Sequence, residues 1–288
     1  MLLLAILFSI FLLVNFRLHA KWKINTSVAI LLNYPICFLA GVAVQPSALP
    51  VIYQLNLLEQ WPSLLLGIGF VVTFLFSGNS TQKNGMAVTS LASNMSLVIP
   101  VLFSLVFLGG FHTATIQTFL GIFLSFGAIY LFSPKVGSNQ SQMAAPLLLI
   151  GVFLCYGITN STFNYLNKEA APILGGTVPF MLLALIGSMV AGILALLFQL
   201  GTKKIQIDVR SVFAAIPLGI PNFFSFFFLL KALDQAENNG AILLPIYNIG
   251  VIGGTALVAY VFFKEKLSKN QLVGLLLGIL AISFLLLS

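Results

Sequence analysis

Apolar runs of roughly 17 to 25 residues, the length a helix needs to cross the hydrocarbon of a bilayer, follow one another along this chain with only short connections between them. Water cannot be the solvent for such a surface. Only 7% of the 288 residues are charged and 59% are hydrophobic, against roughly a quarter charged in an ordinary soluble domain, so no segment is left over for a separate soluble domain. A helix satisfies its own backbone N–H and C=O groups, as an open sheet in lipid does not. The expected fold class is therefore an all-α integral membrane protein.

Breaking the runs at charges, prolines and Asn/Gly clusters predicts ten transmembrane helices, near 1–16, 25–44, 62–79, 84–107, 114–133, 144–167, 175–200, 210–231, 239–263 and 270–288. The opening run lacks a basic leader and is followed by Arg17, Lys21 and Lys23, not by a small-residue cleavage site, so it reads as a retained span. Cys37 and Cys155 fall inside apolar runs, where they pack as small hydrophobes. Residues 135–143 form a polar linker, leaving five helices in 1–134 and five in 144–288. Asn84-Gly85 and Asn239-Gly240 open the fourth and ninth helices, and Gln117-x-x-x-Gly121 answers Gln271-x-x-Gly274. An odd number of spans per half makes such copies inverted repeats.

The last two helices carry a family pattern: Lys231-Ala232-Leu233, Asn239-Gly240-Ala241, Phe262-Phe263-Lys264-Glu265-Lys266-Leu267-Ser268, then Gln271, Gly274 and Gly278. With the span count, this resembles the drug/metabolite transporter superfamily, in particular its ten-helix EamA-type members. The resemblance implies two inverted five-helix repeats around a central cavity, a multi-pass location in the inner membrane, and substrates drawn from amino acids, sugars, nucleotide derivatives and drugs. The first half departs from the pattern, because Gly110 stands where the second half has Glu265.

All six acidic residues lie in or beside connections, so the spans offer no carboxylate relay for protons. The small multidrug transporters of the superfamily use a glutamate in the first helix, and Met1 to Phe16 contains none. The spans do contain neutral polar groups. Tyr156, Asn160 and Asn164 share one face of helix six, with Thr159 beside them; helix four presents Ser90, Ser93 and Asn94; and helix nine carries Tyr247 and Asn248 after Pro245. At the repeat spacing of the Asn-Gly pairs, Asn248 falls opposite Ser93. Such groups either bond neighbouring helices or line a water-accessible cavity. The candidate substrate-binding set is Ser93, Asn94, Tyr156, Thr159, Asn160, Tyr247, Asn248 and Lys231, the last a cation that either turns inward or snorkels to the interface. Pro179, Pro217, Pro221 and Pro245 are candidate kinks, and Gly250-x-x-x-Gly254 and Gly274-x-x-x-Gly278 are expected to pack helices nine and ten together. Neither His19 nor His112 has neighbours at metal-ligand spacing, and no nucleophile–base grouping occurs. No catalytic residue, metal or cofactor is expected, and the chain is not read as an enzyme.

The expected function is secondary transport, uptake or export, of a small polar metabolite by alternating access. A lipid-carrier flippase or another membrane-embedded lipid-handling protein is the alternative. The expected partners are a small-molecule substrate and the lipid bilayer, with a homodimer left open; the net charge of +7 reflects membrane orientation and not nucleic acid. All 13 basic residues except Lys168 and Lys231 fall in the odd-numbered connections, which by the positive-inside rule puts both termini outside the cytoplasm. The resemblance implies termini inside.

Overall fold

The structure, a computed structural model, describes residues 1–56, 60–107, 115–132, 140–202, 207–235 and 240–286. All regular structure among them is helical: α1 (Leu2–Lys21), α2 (Thr26–Val44), α3 (Ala48–Tyr53), α4 (Trp61–Asn84), α5 (Met86–Met95), α6 (Val98–Phe107), α7 (Ile116–Phe132), α8 (Gln140–Ala170), α9 (Thr177–Gly201), α10 (Val209–Phe213), α11 (Ala215–Gln235), α12 (Gly240–Phe263) and α13 (Lys269–Leu286). Nine stretches among the described residues are long and apolar enough to cross a membrane, with α5 and α6 contributing one and α10 and α11 another; α7 is a shorter apolar helix of 17 residues. The chain is thus an all-α, multi-pass membrane protein.

Several boundaries differ from the sequence expectation for identifiable reasons. The first span runs to Lys21, past Arg17, because the Arg17 side chain finds partners at the membrane edge. Helix α8 begins at Gln140, inside the stretch expected as linker; residues 135–139, like the 108–114 corner with Gly110 and His112, lie outside the described residues. The expected continuous helix 84–107 begins after Gly85 and is broken once within. Gly85 has φ +89°, a backbone state open to glycine at little cost, and it separates α4 from α5. Pro100 has no N–H to give the Ser96 carbonyl, which accepts from Ile99 N at 3.0 Å, and the chain turns between α5 and α6 at Ser96 and Leu97. Pro221 acts in the same way within α11: it leaves the Pro217 carbonyl without its helical donor, and the buried Asn15 of α1 supplies Nδ2–H at 3.0 Å.

Helix α4 packs on α8 and α9, α11 on α1 and α2, α2 on α9, α12 on α1 and α5, α5 on α8, and α7 on α13. Small residues let backbones meet. A Cβ on Gly187 would stand 2.0 Å from Leu64 O, and one on Gly67 would stand 2.3 Å from Ser188 N, while Ser188 Oγ donates to Gly67 O at 3.1 Å. The glycines of the two spaced pairs do pack, but not helix α12 against α13. Gly250 and Gly254 face Ile6 and Ile10 of α1, Gly274 faces α7, and Gly278 faces both α7 and Leu91 of α5.

Candidate functional site

A cavity of about 200 Å³ lies where α1, α2, α4, α5, α8, α9, α11 and α12 converge. Seven of the eight candidate residues line it. Ser93 and Asn94 come from α5, Tyr156, Thr159 and Asn160 from α8, and Tyr247 and Asn248 from α12. The i, i+4 spacing of Tyr156 and Asn160 brings both inward, but Asn164, one turn further, is exposed. Lys231 is also outside the cavity, a correction to its candidate role. It is exposed near the end of α11, with Nζ 6.0 Å from the centre of the Phe227 ring, so the cation rests on an aromatic face at the membrane edge.

The lining polar groups divide by what they already bond. Asn94 Nδ2 donates to Ser90 O at 2.7 Å and Ser93 Oγ to the same carbonyl at 3.0 Å, both within α5. Thr159 Oγ1 lies 2.9 Å from Thr73 Oγ1 of α4, and Tyr247 OH lies 2.6 Å from Ser9 Oγ of α1. Asn222 Nδ2 of α11 donates to Asn33 Oδ1 of α2 at 2.8 Å, and the same oxygen accepts from Cys37 Sγ at 3.2 Å. By contrast, Asn248 Nδ2 and Tyr34 OH are buried with no hydrogen-bond partner among the described residues. Buried polar atoms of this kind are costly to leave unpaired, and a bound solute or water is the partner such a cavity admits.

Sequence reasoning missed Ser9, Tyr34, Thr73, Asn222 and Ser225 as lining groups, and it missed the aromatic share of the wall. Phe16, Phe70, Phe74, Phe223 and Phe226 all face the cavity. No Asp, Glu, Lys, Arg or His is among the described residues that line it. The cavity can therefore hold an apolar body while offering hydroxyls and amides that both donate and accept, and it has no counter-charge for a strongly ionic solute.

Polar contacts link the helix ends on one face of the bundle, which carries the ends of α1, α4, α7 and α12. Phe16, 1% exposed, meets Phe74 edge-on with ring centres 5.7 Å apart, and both rings line the cavity. Beyond it Arg17 Nε lies 2.9 Å from Glu265 Oε1, and Arg17 Nη1 donates to Gln82 O at 3.4 Å. The Gln82 amide donates to Thr26 Oγ1, and Asn84 Nδ2 donates to Ala145 O at 3.0 Å. Glu265 also explains Gly85, since a Cβ there would stand 2.8 Å from Glu265 Oε2. Both halves of the chain contribute to these contacts. The corner acid whose lone occurrence stood out in the sequence is the partner of Arg17.

No protein-family model matches the chain. A Haemophilus influenzae protein described only as uncharacterized is 28% identical over 222 residues, covering 76% of this chain and 72% of its own. A solved crystal structure, 13% identical, superposes with a TM-score of 0.57 over 97% of this chain and 95% of that one, which shows a shared fold.

Proposed function

We propose that this chain is a secondary transporter that carries a small, uncharged or zwitterionic polar solute across the inner membrane by alternating access, with ten spans arranged as two inverted five-helix repeats in the manner of EamA-type drug/metabolite transporters. The observation that carries this reading is the mid-chain cavity itself. It draws hydroxyls and amides from both halves and keeps Asn248 Nδ2 and Tyr34 OH unpaired beside its wall. The helix packing supports the repeat. If the spans are α1, α2, α4, α5–α6, α7, α8, α9, α10–α11, α12 and α13 in order, exchanging each with the one five places on maps the observed neighbours onto one another: α1 on α11 becomes α8 on α4, α2 on α11 becomes α9 on α4, and α12 on α1 becomes α5 on α8. The pairs α2 with α9, α5 with α12 and α7 with α13 map onto themselves.

In this reading the solute enters from the face that carries the termini while the basic face stays closed through Phe16, Phe74 and the Arg17–Glu265 pair. Phenylalanines hold its apolar part. Asn160, which lines the cavity, and Asn248, whose Nδ2 has no hydrogen-bond partner among the described residues, bond its polar edge. Release on the basic face requires the Arg17–Glu265 pair to separate. With no carboxylate among the described residues of the cavity wall, coupling in this reading runs through exchange, diffusion or sodium and not through an acidic proton relay.

The test is a proteoliposome loaded with a metabolite mixture and also with a labelled phospholipid. Protein-dependent equilibration of a few neutral or zwitterionic metabolites, read by mass spectrometry, is the expected result. Scrambling of the lipid with no metabolite flux would overturn the reading in favour of lipid handling.

A further inference from the structure

A second concavity, of about 800 Å³, opens on the basic face between the end of α1, the corner after it and α10. Lys21, Lys23 and Arg210 line it, and no acidic side chain does among the described residues. All three cations are exposed. Its rim is apolar and aromatic, with Trp22 54% and Phe213 64% exposed, which suits the boundary between headgroups and acyl chains. The floor carries a buried ring nitrogen without a partner among the described residues. Gln82 Nε2 donates to the Thr26 hydroxyl, which in turn reaches His19 Nδ1 at 3.3 Å. Thr26 thereby engages one of the two ring nitrogens, and the other is Nε2. That Nε2 has no hydrogen-bond partner among the described residues, and His19 is 2% exposed.

From this we propose that the groove is a binding site for the headgroup of an anionic phospholipid, with the phosphate held by Lys21, Lys23 and Arg210 above the His19 imidazole and the acyl chains leaving past Trp22 and Phe213. Charge complementarity selects the headgroup. Basic pockets between spans on the cytoplasmic side are where acidic lipids are expected, and the apolar rim provides for chains that a free phosphate lacks. The site is distinct from the central cavity and shares no lining residue with it.

The experiment uses full-length protein, purified and delipidated in detergent. Native mass spectrometry and thermal melting follow the addition of phosphatidylglycerol, of phosphatidylcholine with the same chains, or of inorganic phosphate. Phosphatidylglycerol is expected to be retained and to raise the melting temperature, phosphatidylcholine to do so far less. The triple change Lys21→Gln, Lys23→Gln and Arg210→Gln should weaken phosphatidylglycerol binding by roughly a hundredfold and each single change by roughly fivefold. Lys266→Gln with Lys269→Gln, on the same face but outside the groove, should leave it unchanged. The single variants keep the test decisive should the triple one fold poorly. Equal retention of the two lipids, or phosphatidylglycerol binding that survives the groove changes, would overturn the proposal. So would displacement of the lipid by millimolar inorganic phosphate, which would mark a free-anion site.

Discussion

Asn160→Ala and Asn248→Ala, set beside Asn33→Ala, separate the amides that serve a solute from those that bind the bundle. Asn33 is fully buried, and its Oδ1 accepts from Asn222 and from Cys37 while its Nδ2 donates within α2. Truncation leaves Asn222 Nδ2 without its acceptor, while the buried Cys37 thiol keeps the Gly219 carbonyl at 3.2 Å. The cost of one such orphan is about 1–3 kcal/mol in a protein interior, though interhelical bonds in membranes average only about 0.6 kcal/mol and reach about 1.7. A loss of about 1–2 kcal/mol is therefore expected, seen as a lower melting temperature in detergent. The Nδ2 of Asn248 gives up no such bond among the described residues, and Asn160 lines the cavity beside it, so their alanine variants should melt within experimental error of the parent. Each should lose one solute hydrogen bond worth about 0.5–1.5 kcal/mol, or roughly two- to tenfold in Kd. The assay is calorimetric binding of the transported solute beside thermal melting for the same three preparations. Asn160→Ala and Asn248→Ala proteins that melt as low as Asn33→Ala and bind with parental affinity would refute the assignment of these amides to the solute.

Three further outcomes follow from the packing and charge. Gly187→Ala should abolish folded, extractable protein, because its Cβ would stand 2.0 Å from Leu64 O, whereas Gly253→Ala should be tolerated, since nothing lies within 4 Å of the added carbon; detergent gel filtration of the two reads the difference. Solute flux should be insensitive to an imposed pH gradient in the parent and in Glu265→Gln alike, because Glu265 serves as the partner of Arg17 and does not line the cavity; parental flux that is driven by the gradient, with that drive lost in the folded variant, would restore a proton role. A reporter that is active only in the cytoplasm, fused after Ser288, should be silent if the basic face is cytoplasmic, and activity would reverse the orientation in favour of the family pattern.

Span positions were readable because a bilayer demands long apolar runs, and the inward faces of α5, α8 and α12 were readable because polar residues at helical spacing are rare in such runs. Partner choice was not. Asn33 and Asn160 look alike in the chain, yet one is spent on Asn222 and the other faces the cavity, a difference set by which helix lies opposite. Lys231 sits at a helix end, where snorkelling and inward pointing have the same local signature; the Phe227 ring decides it. The break at Ser96 was signalled by Pro100, but the gap is only two residues, too short to interrupt an apolar run. Glu265 stood out as a corner acid without its counterpart, while Arg17 lies 248 positions earlier and only the fold brings the two together.

Alternating access is most directly measured by the sidedness of a cysteine in the cavity. In a Cys37→Ser, Cys155→Ala background, Asn160→Cys protein is reconstituted in one orientation and exposed to a membrane-impermeant thiol reagent from either face. The account predicts fast labelling from the face that carries the termini and slow labelling from the basic face. Adding Glu265→Gln, which removes the closing charge, should speed only the latter. Equal labelling from both faces in the parent, or none from either face in both proteins, would contradict it.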